Sequence, residues 1–260
     1  MDVLGGTGFP VVVEMRSLAR LPAHMRPVCH RLSQLAPLSN TGLQLLDRLE
    51  RHRKEHQADT VLAREGVSAN NTARFLLSGW ACRQRIMADG RRQIFGFLIP
   101  GDILGAPSRI LTLALASTVA LTRVTTVDVP LAEHSDLPAV MASLLAKLVI
   151  VAERETQMLL HDHVTRLGHM SGLERMAHLL LELQRRLIAV DLAQGQRFPL
   201  PLRQEVLADA LGLSSVHINR TLQQLRREGL IIYVAGEVTV LDPDRLASLA
   251  DGTASRRHQA

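Results

Sequence analysis

Between residues 203 and 231 the sequence RQEVLADALGLSSVHINRTLQQLRREGLI carries apolar residues at helical spacing on both sides of a glycine. Val206, Leu207, Ala210 and Leu211 make one face of a short first helix, and Gly212 supplies the backbone freedom that a sharp turn needs. Ser214 stands where it caps a second helix. That helix buries Ile218, Leu222 and Leu225 at steps of four and three, so Ser215, Val216, Asn219, Arg220 and Gln223 face outward. Gly229 ends it, and residues 231–240 read as a two-stranded hairpin turning at Ala235 and Gly236. The pattern predicts a winged helix-turn-helix, with the outward row of Ser215–Arg227 as the face that meets base edges.

Upstream the period shortens. Leu43, Leu46 and Leu49 predict one helix, after which 60–63, 74–77, 80–87, 92–98 and 118–129 read as strands. Their separators are turn chemistry: Arg64-Glu65-Gly66, Ser78-Gly79, Asp89-Gly90 and Pro100-Gly101-Asp102. Many short strands with regular turns predict a small β-roll, and the chain as a whole is expected to be α+β.

From Leu137 helical spacing returns, with Asp136 placed to cap and Pro138 in the tolerated first turn. Leu137, Met141, Leu144, Leu148, Val151 and Met158, with Glu155 in the one polar slot, alternate steps of four and three. That spacing predicts a coiled-coil seam against a second copy of the chain. Leu145 and Val149 widen the stripe, so one face of the same helix also suits packing on the roll. Residues 171–187 predict a further helix with Met176, Leu179, Leu180 and Leu183 on one side, leading through Phe198-Pro199-Leu200-Pro201 into the winged helix. The order divides the chain into an N-terminal segment 1–25, a roll 26–134, a dimerisation helix and hinge 135–168, a winged helix 169–250 and a tail 251–260. Neither end has a sustained period, and both are expected to be mobile.

Charge strengthens the reading of the winged helix. The formal net charge is +5 and the sequence pI near 10.1. Arg203, Arg220, Arg226 and Arg227 crowd the outward helix, only partly offset by Glu205 and Glu228, as contact with phosphates requires. Aromatic residues make up 3% of the chain, which argues against binding single strands by stacking. No apolar run has the length of a membrane span and the run 11–13 is too short for a signal-peptide core, so a cytoplasmic protein is expected. Cys29 and Cys82 match no disulfide framework or CxxC spacing; a packing role is expected of each rather than redox sensing, and two cysteines cannot hold an iron–sulfur cluster within one subunit. His161, Asp162, His163 and His169 read as a polar hinge, because His-x-His on a helix splays the two rings and no further ligand has an evident place. No nucleophile–base pair, metal set or cofactor motif emerges, so an enzyme is not expected.

The segment 76–105, LLSGWACRQRIMADGRRQIFGFLIPGDILG, together with the helix-turn-helix from Arg203, resembles the Crp/Fnr family of bacterial transcription regulators. The resemblance implies a sensory β-roll of cyclic-nucleotide-binding fold first and a winged helix last. It also implies a homodimer on a palindromic promoter site of double-stranded DNA, with RNA polymerase as a further partner and no membrane. Carried over residue by residue, Ser215, Val216 and Arg220 match base-reading positions, Ser214 and His217 match positions near phosphates, and Arg203, Gln204 and Asn219 complete the DNA-facing set. Val216 stands where many members have glutamate; valine cannot accept from cytosine but packs on a thymine methyl. Members that bind cyclic AMP follow the glycine after the PGD turn with a glutamate for the ribose, and place an Arg-Ser pair on the phosphate. Here Ala106 follows Gly105, and Ala116 takes the arginine's place while Ser117 is kept. The pocket loses its counter-charge, so a signal other than cyclic AMP is expected, with Gly105, Arg109, Ser117 and Thr118 as the candidate effector pocket. Two alternatives stay open: a cyclic-nucleotide receptor with an altered phosphate clamp, in which Arg109 swings in, and a regulatory subunit that binds a protein partner and not DNA.

Overall fold

Among the described residues eight short strands build the N-terminal half because turn residues interrupt the chain every few positions, and the helices that follow close over the sheets they form. The computed structural model describes residues 22–38, 40–68, 72–105, 113–130 and 139–251. A 3-10 turn at Ala23–Met25 leads into α1 (Arg26–Ser33), followed by α2 (Asn40–Glu50). The strands are β1 (Lys54–His56), β2 (Val61–Ala63), β3 (Thr72–Ser78), β4 (Ala81–Ile86), β5 (Arg92–Leu98), β6 (Ile103–Gly105), β7 (Ser117–Ala120) and β8 (Val124–Pro130). They pair antiparallel in two four-stranded sheets, β1-β8-β3-β6 and β2-β7-β4-β5.

Side chains alternate across each sheet. Leu62, Leu76, Leu98, Leu104 and Val124 fill the space between the two sheets. Their neighbours Phe75, Leu77, Val127 and Val129 point the other way, against α1 and α2. The β3–β4 turn requires glycine: Gly79 has φ +80°, and a Cβ there would collide with the carbonyl oxygen of Arg123.

Three sequence expectations change. The run 118–129 is two strands, because Leu121 and Thr122 turn aside to donate their N–H groups to the carbonyl of Trp80 at 2.7 and 3.2 Å. β1 and β6 were absent from the expected strands; Lys54–His56 carries no apolar residue, and Ile103–Gly105 follows directly on a turn signal. Helix α1, absent from the expected helices, is one too, buried through Pro27, Val28, Cys29 and Leu32.

The C-terminal half consists of α3 (Ala139–His169), α4 (Gly172–Ala189), β9 (Arg197–Pro199), α5 (Gln204–Leu211), α6 (Ser215–Arg227), β10 (Ile231–Val234), β11 (Glu237–Val240) and α7 (Pro243–Ala250). Among the described residues no helix is long and apolar enough to cross a membrane. Helix α3 runs unbroken through His161, His163 and His169, and the chain turns at Met170 and Ser171. There a capping box forms: the Glu174 N–H donates to Ser171 Oγ at 3.4 Å, and the Ser171 N–H donates to Glu174 Oε2 at 2.7 Å.

The expected seam of α3 is corrected. Leu144 and Leu148 are buried within their own protomer, with Leu145 and Val149, against Phe75, Val127 and the α1 residues Val28 and Leu32. Asp136, Leu137, Pro138 and the side chain of Met141 lie outside the described residues. Further along the expected seam Val151 is half-buried and Met158 is 60% exposed, and the exposed residues of α3 also include a second row of Ala146, Ile150, Glu153, Gln157, Leu160 and Val164.

Because Leu148 fills a core, Leu148→Ala should lower the unfolding free energy of each protomer by about 2–5 kcal/mol. Urea denaturation at several protein concentrations checks this: the loss persists where the protein is monomeric. A loss confined to the dimer would return Leu148 to the subunit seam.

Candidate nucleic-acid interface

The helix-turn-helix is held by its own caps. Gly212 ends α5 in the left-handed conformation at φ 63°, and Ser214 Oγ accepts from the His217 N–H at 3.2 Å at the start of α6. The sequence reading missed Arg175. Its guanidinium donates to the carbonyls of Leu167, Met170 and Leu211 at 3.0, 2.8 and 2.9 Å. One side chain thereby satisfies carbonyls at the ends of both α3 and α5 and sets the angle between them. An arginine in helical spacing looks like any solvated residue, so no local signal marks it.

Helix α6 buries Ile218, Thr221, Leu222 and Leu225. On its other side Val216 is 80% exposed, and Asn219, Arg220, Gln223, Arg226 and Arg227 are exposed with it. Ser215 is half-buried at the first turn. His217 lies differently from its neighbours: its ring packs on Gly172 so closely that a Cβ there would stand 2.6 Å from Nε2. Arg203 is exposed before α5, with a weak ion pair to Asp59 at 4.0 Å, and Gln204 is half-buried beside it. The wing turns at Ala235 and Gly236, with φ 52° and 78°, and β9 adds a third strand in the order β10-β11-β9. The Tyr233 hydroxyl reaches the carbonyls of Leu200 and Leu202 at 3.3 and 3.4 Å, tying the wing to the lead-in segment.

The winged helix and the roll share one hydrophobic cluster. Trp80, Cys82, Ile94 and Phe97 of the roll join Leu179, Leu183, Leu207 and Leu211. Arg92 pairs with Asp209 at 2.7 Å across this contact, and Gln93 donates to the Asp209 carbonyl at 3.2 Å. Deeper in, a chain of charges joins the modules. Asp102 accepts from Arg31 of α1 at 2.7 Å, from Arg186 of α4 at 2.7 Å and from the Ile99 N–H at 2.8 Å. Arg31 continues to Glu155 of α3 at 2.8 Å, while Arg186 continues to Glu182, which pairs with Arg166 of α3. Burial works to raise the Asp102 carboxyl, but the Arg186 and Arg31 guanidiniums and the Ile99 N–H outweigh it and hold it below the ordinary carboxylate range.

The candidate effector pocket is only partly described. Gly105 ends β6, whereas Ala106 and Arg109 lie outside the described residues. Ser117 Oγ already accepts from the Glu65 N–H at 3.1 Å, and buried Thr118 donates to the Leu104 carbonyl at 3.5 Å. Arg85 bonds Glu65 at 2.9 Å and the Leu115 carbonyl at 3.1 Å, so this guanidinium, held next to Ala116 in the chain, is already engaged. Cys29 and Cys82 are buried, and burial is the main cause that pushes both thiols up to about 12. They are therefore protonated near neutral pH and poor nucleophiles. His163 is buried beside Gln93 while His161 and His169 are exposed, and the described residues contain no group of three His, Cys, Asp or Glu placed to hold a metal.

Comparison with known proteins agrees with this architecture. Residues 53–138 match the model of the cyclic nucleotide-binding domain, and 174–249 match that of the Crp-like helix-turn-helix domain. The chain is 30% identical over 234 residues to the nitrogen fixation regulation protein FixK of Bradyrhizobium diazoefficiens, covering 87% of this chain and 96% of that protein. It is 31% identical over 205 residues to the transcriptional activatory protein AadR of Rhodopseudomonas palustris, covering 78% and 83%. Among solved structures, FixK2 from Bradyrhizobium japonicum superposes with a TM-score of 0.65 at 24% identity, covering 76% of this chain and 96% of that one. That likeness establishes the α+β fold of roll, long helix and winged helix.

Removing the shared carboxylate leaves two buried guanidiniums without it, so Asp102→Asn should destabilise the protein by about 3–5 kcal/mol at pH 7. The folded carboxyl is held low, so its contribution is complete above the unfolded value of about 3.9 and is lost as pH falls through the folded value. Urea midpoints from pH 7 to pH 3 check both parts. The gap between parent and variant narrows below about pH 4, and a constant gap would assign the loss to packing.

Proposed function

Since this chain belongs to the Crp/Fnr family of transcription regulators, we propose that it works as a homodimer reading a palindromic promoter site, under a signal other than cyclic AMP. The observation that carries the reading is the presentation of α6, whose apolar row is buried while Val216, Asn219, Arg220 and Gln223 stand free. Arg220 is the guanine reader, its planar fork matching O6 and N7 in the major groove. Val216 packs on a thymine methyl, and Ser215 and Asn219 read beside it. Arg203, Gln204, Ser214 and His217 flank this row as the phosphate contacts, His217 with its ring steadied on Gly172. The bound protein meets RNA polymerase at the promoter, in the cytoplasm.

Two observations support a signal other than cyclic AMP. Ala116 offers no cation to a phosphate, and the hydroxyls of Ser117 and Thr118 are already bonded within the roll. For the dimer, Ala146, Ile150, Glu153, Gln157, Leu160 and Val164 follow steps of four and three on the exposed side of α3. This spacing suits a seam with a second copy, and a two-fold axis through it matches the symmetry of a palindrome.

Selection from random duplexes supplies an operator, and Arg220→Ala should then weaken operator binding by about 1–3 kcal/mol while leaving scrambled duplex nearly unchanged. Fluorescence anisotropy without nucleotide reads both. Equal operator affinity in variant and parent refutes the assignment, and a parent that binds only with cyclic AMP refutes the proposed signal. The paired change Ile150→Asp and Val164→Asp should give monomers in sedimentation at micromolar concentration, because like charges meet their mates across the axis. A persistent dimer moves the seam elsewhere.

A further inference from the structure

Where β4, the Pro100-Gly101-Asp102 turn, α3 and α4 meet, the structure leaves a cavity with an unusual charge balance. Three guanidiniums line it, from Arg31, Arg83 and Arg186, against two carboxylates, from Asp102 and Glu155. Asp102 serves Arg31 and Arg186 together, and Glu155 also serves Arg31. Arg83 has only neutral hydrogen-bond partners among the described residues, Thr156 Oγ1 at 3.3 Å and the Ile103 carbonyl at 3.2 Å, with Asp102 acting on its charge from farther off. In addition, Arg31 Nε is buried with no hydrogen-bond partner. A half-buried cation that makes no ion-pair contact and is only partly balanced by nearby Asp102, next to an unmet donor and an open space, favours the arrival of negative charge.

We infer that this cavity is a binding site for a small anion, a carboxylate or a small inorganic oxyanion, held chiefly by Arg83 with Arg31 beside it. Its volume of about 30 Å³ exceeds the space that one water needs. The guanidinium fork suits two oxygens of one carboxylate or oxyanion. Glu155 is 43% exposed and is the lining acid an incoming anion can displace; Asp102, 9% exposed and doubly paired, stays. Leu148, Ala152 and Leu159 form an apolar wall that keeps the local dielectric low. Burial, joined by the nearby Arg186, pushes the Arg83 guanidinium below its ordinary value even though Asp102 pulls it up, as fits a cation awaiting a partner. Arg186 on α4 lines the same cavity and shares Asp102 with Arg31, so occupancy bears directly on the helix that leads into the winged domain. Arg83 stands opposite Thr118 across β4 and β7, so the site adjoins the candidate effector pocket and rests on the reading that the roll takes a signal other than cyclic AMP; its test does not depend on DNA binding.

The test is thermal unfolding of the full-length protein in sodium acetate, sodium phosphate and sodium chloride at equal ionic strength and pH. Acetate or phosphate should raise the melting temperature above the chloride value by about 2–4 °C once several-fold above its Kd. Arg83→Gln keeps a donor for the Ile103 carbonyl, removes the charge and should abolish that difference. Equal melting in all three salts, or an undiminished difference in the variant, overturns the inference. Equilibrium dialysis of the unaltered protein with radiolabelled acetate and with radiolabelled phosphate gives a reading that needs no variant. Stoichiometric uptake of either supports the site and identifies which oxygen geometry fits, whereas no uptake of both overturns it.

Discussion

A carboxylate taken from water must find several donors, and Asp102 finds them on elements that are remote in sequence. Arg31 arrives from α1, Arg186 from α4 and the Ile99 N–H from the turn that Asp102 itself occupies. The acid stays ionised because the guanidiniums outweigh its burial, and the guanidiniums tolerate burial because the acid is there. Extended through Glu155 at one end and Glu182 and Arg166 at the other, the chain of pairs begins and ends on α3. The roll, the long helix and the first helix of the winged domain are thereby placed relative to one another by geometry that permits little slack.

Hydrophobic contact reinforces the same placement. The roll face carrying Trp80, Cys82 and Phe97 is continuous with the core of the winged helix, so the two modules are packed together instead of tethered by a linker. Arg175 then sets α5 against the end of α3. The consequence is functional: α6 has its apolar row sealed inside and its polar row outside, at an orientation governed by contacts more than 20 residues away in sequence.

Much of this architecture was legible along the chain. The two helices around Gly212, the Ser214 cap, the hairpin at Ala235 and Gly236, and the extent of β5 all come from interactions within a few residues. The outward set on α6 was legible for the same reason, since a period of 3.6 residues assigns faces once the inward side is recognised. The strands β1, β6 and β9 were not, and neither was the break between β7 and β8, which depends on the Trp80 carbonyl about 40 residues earlier.

The sequence by itself determined most of the kinds of element, their order and the outward row of side chains on α6, because periodicity, caps and turns are local physics. Tertiary structure alone decided what each apolar stripe packs against. On α3 two stripes follow steps of four and three, and the pattern is the same whether the partner is a sheet or a second copy; only the placement of the roll turns Leu144 and Leu148 inward and leaves Ile150 and Val164 outside. It likewise decided the charges. Arg31, Arg83, Asp102, Arg166 and Arg186 read as ordinary polar positions until folding brings them together away from water, where each must find a partner. Burial and pairing of charge belong to the assembled fold, because they depend on neighbours that no spacing along the chain specifies.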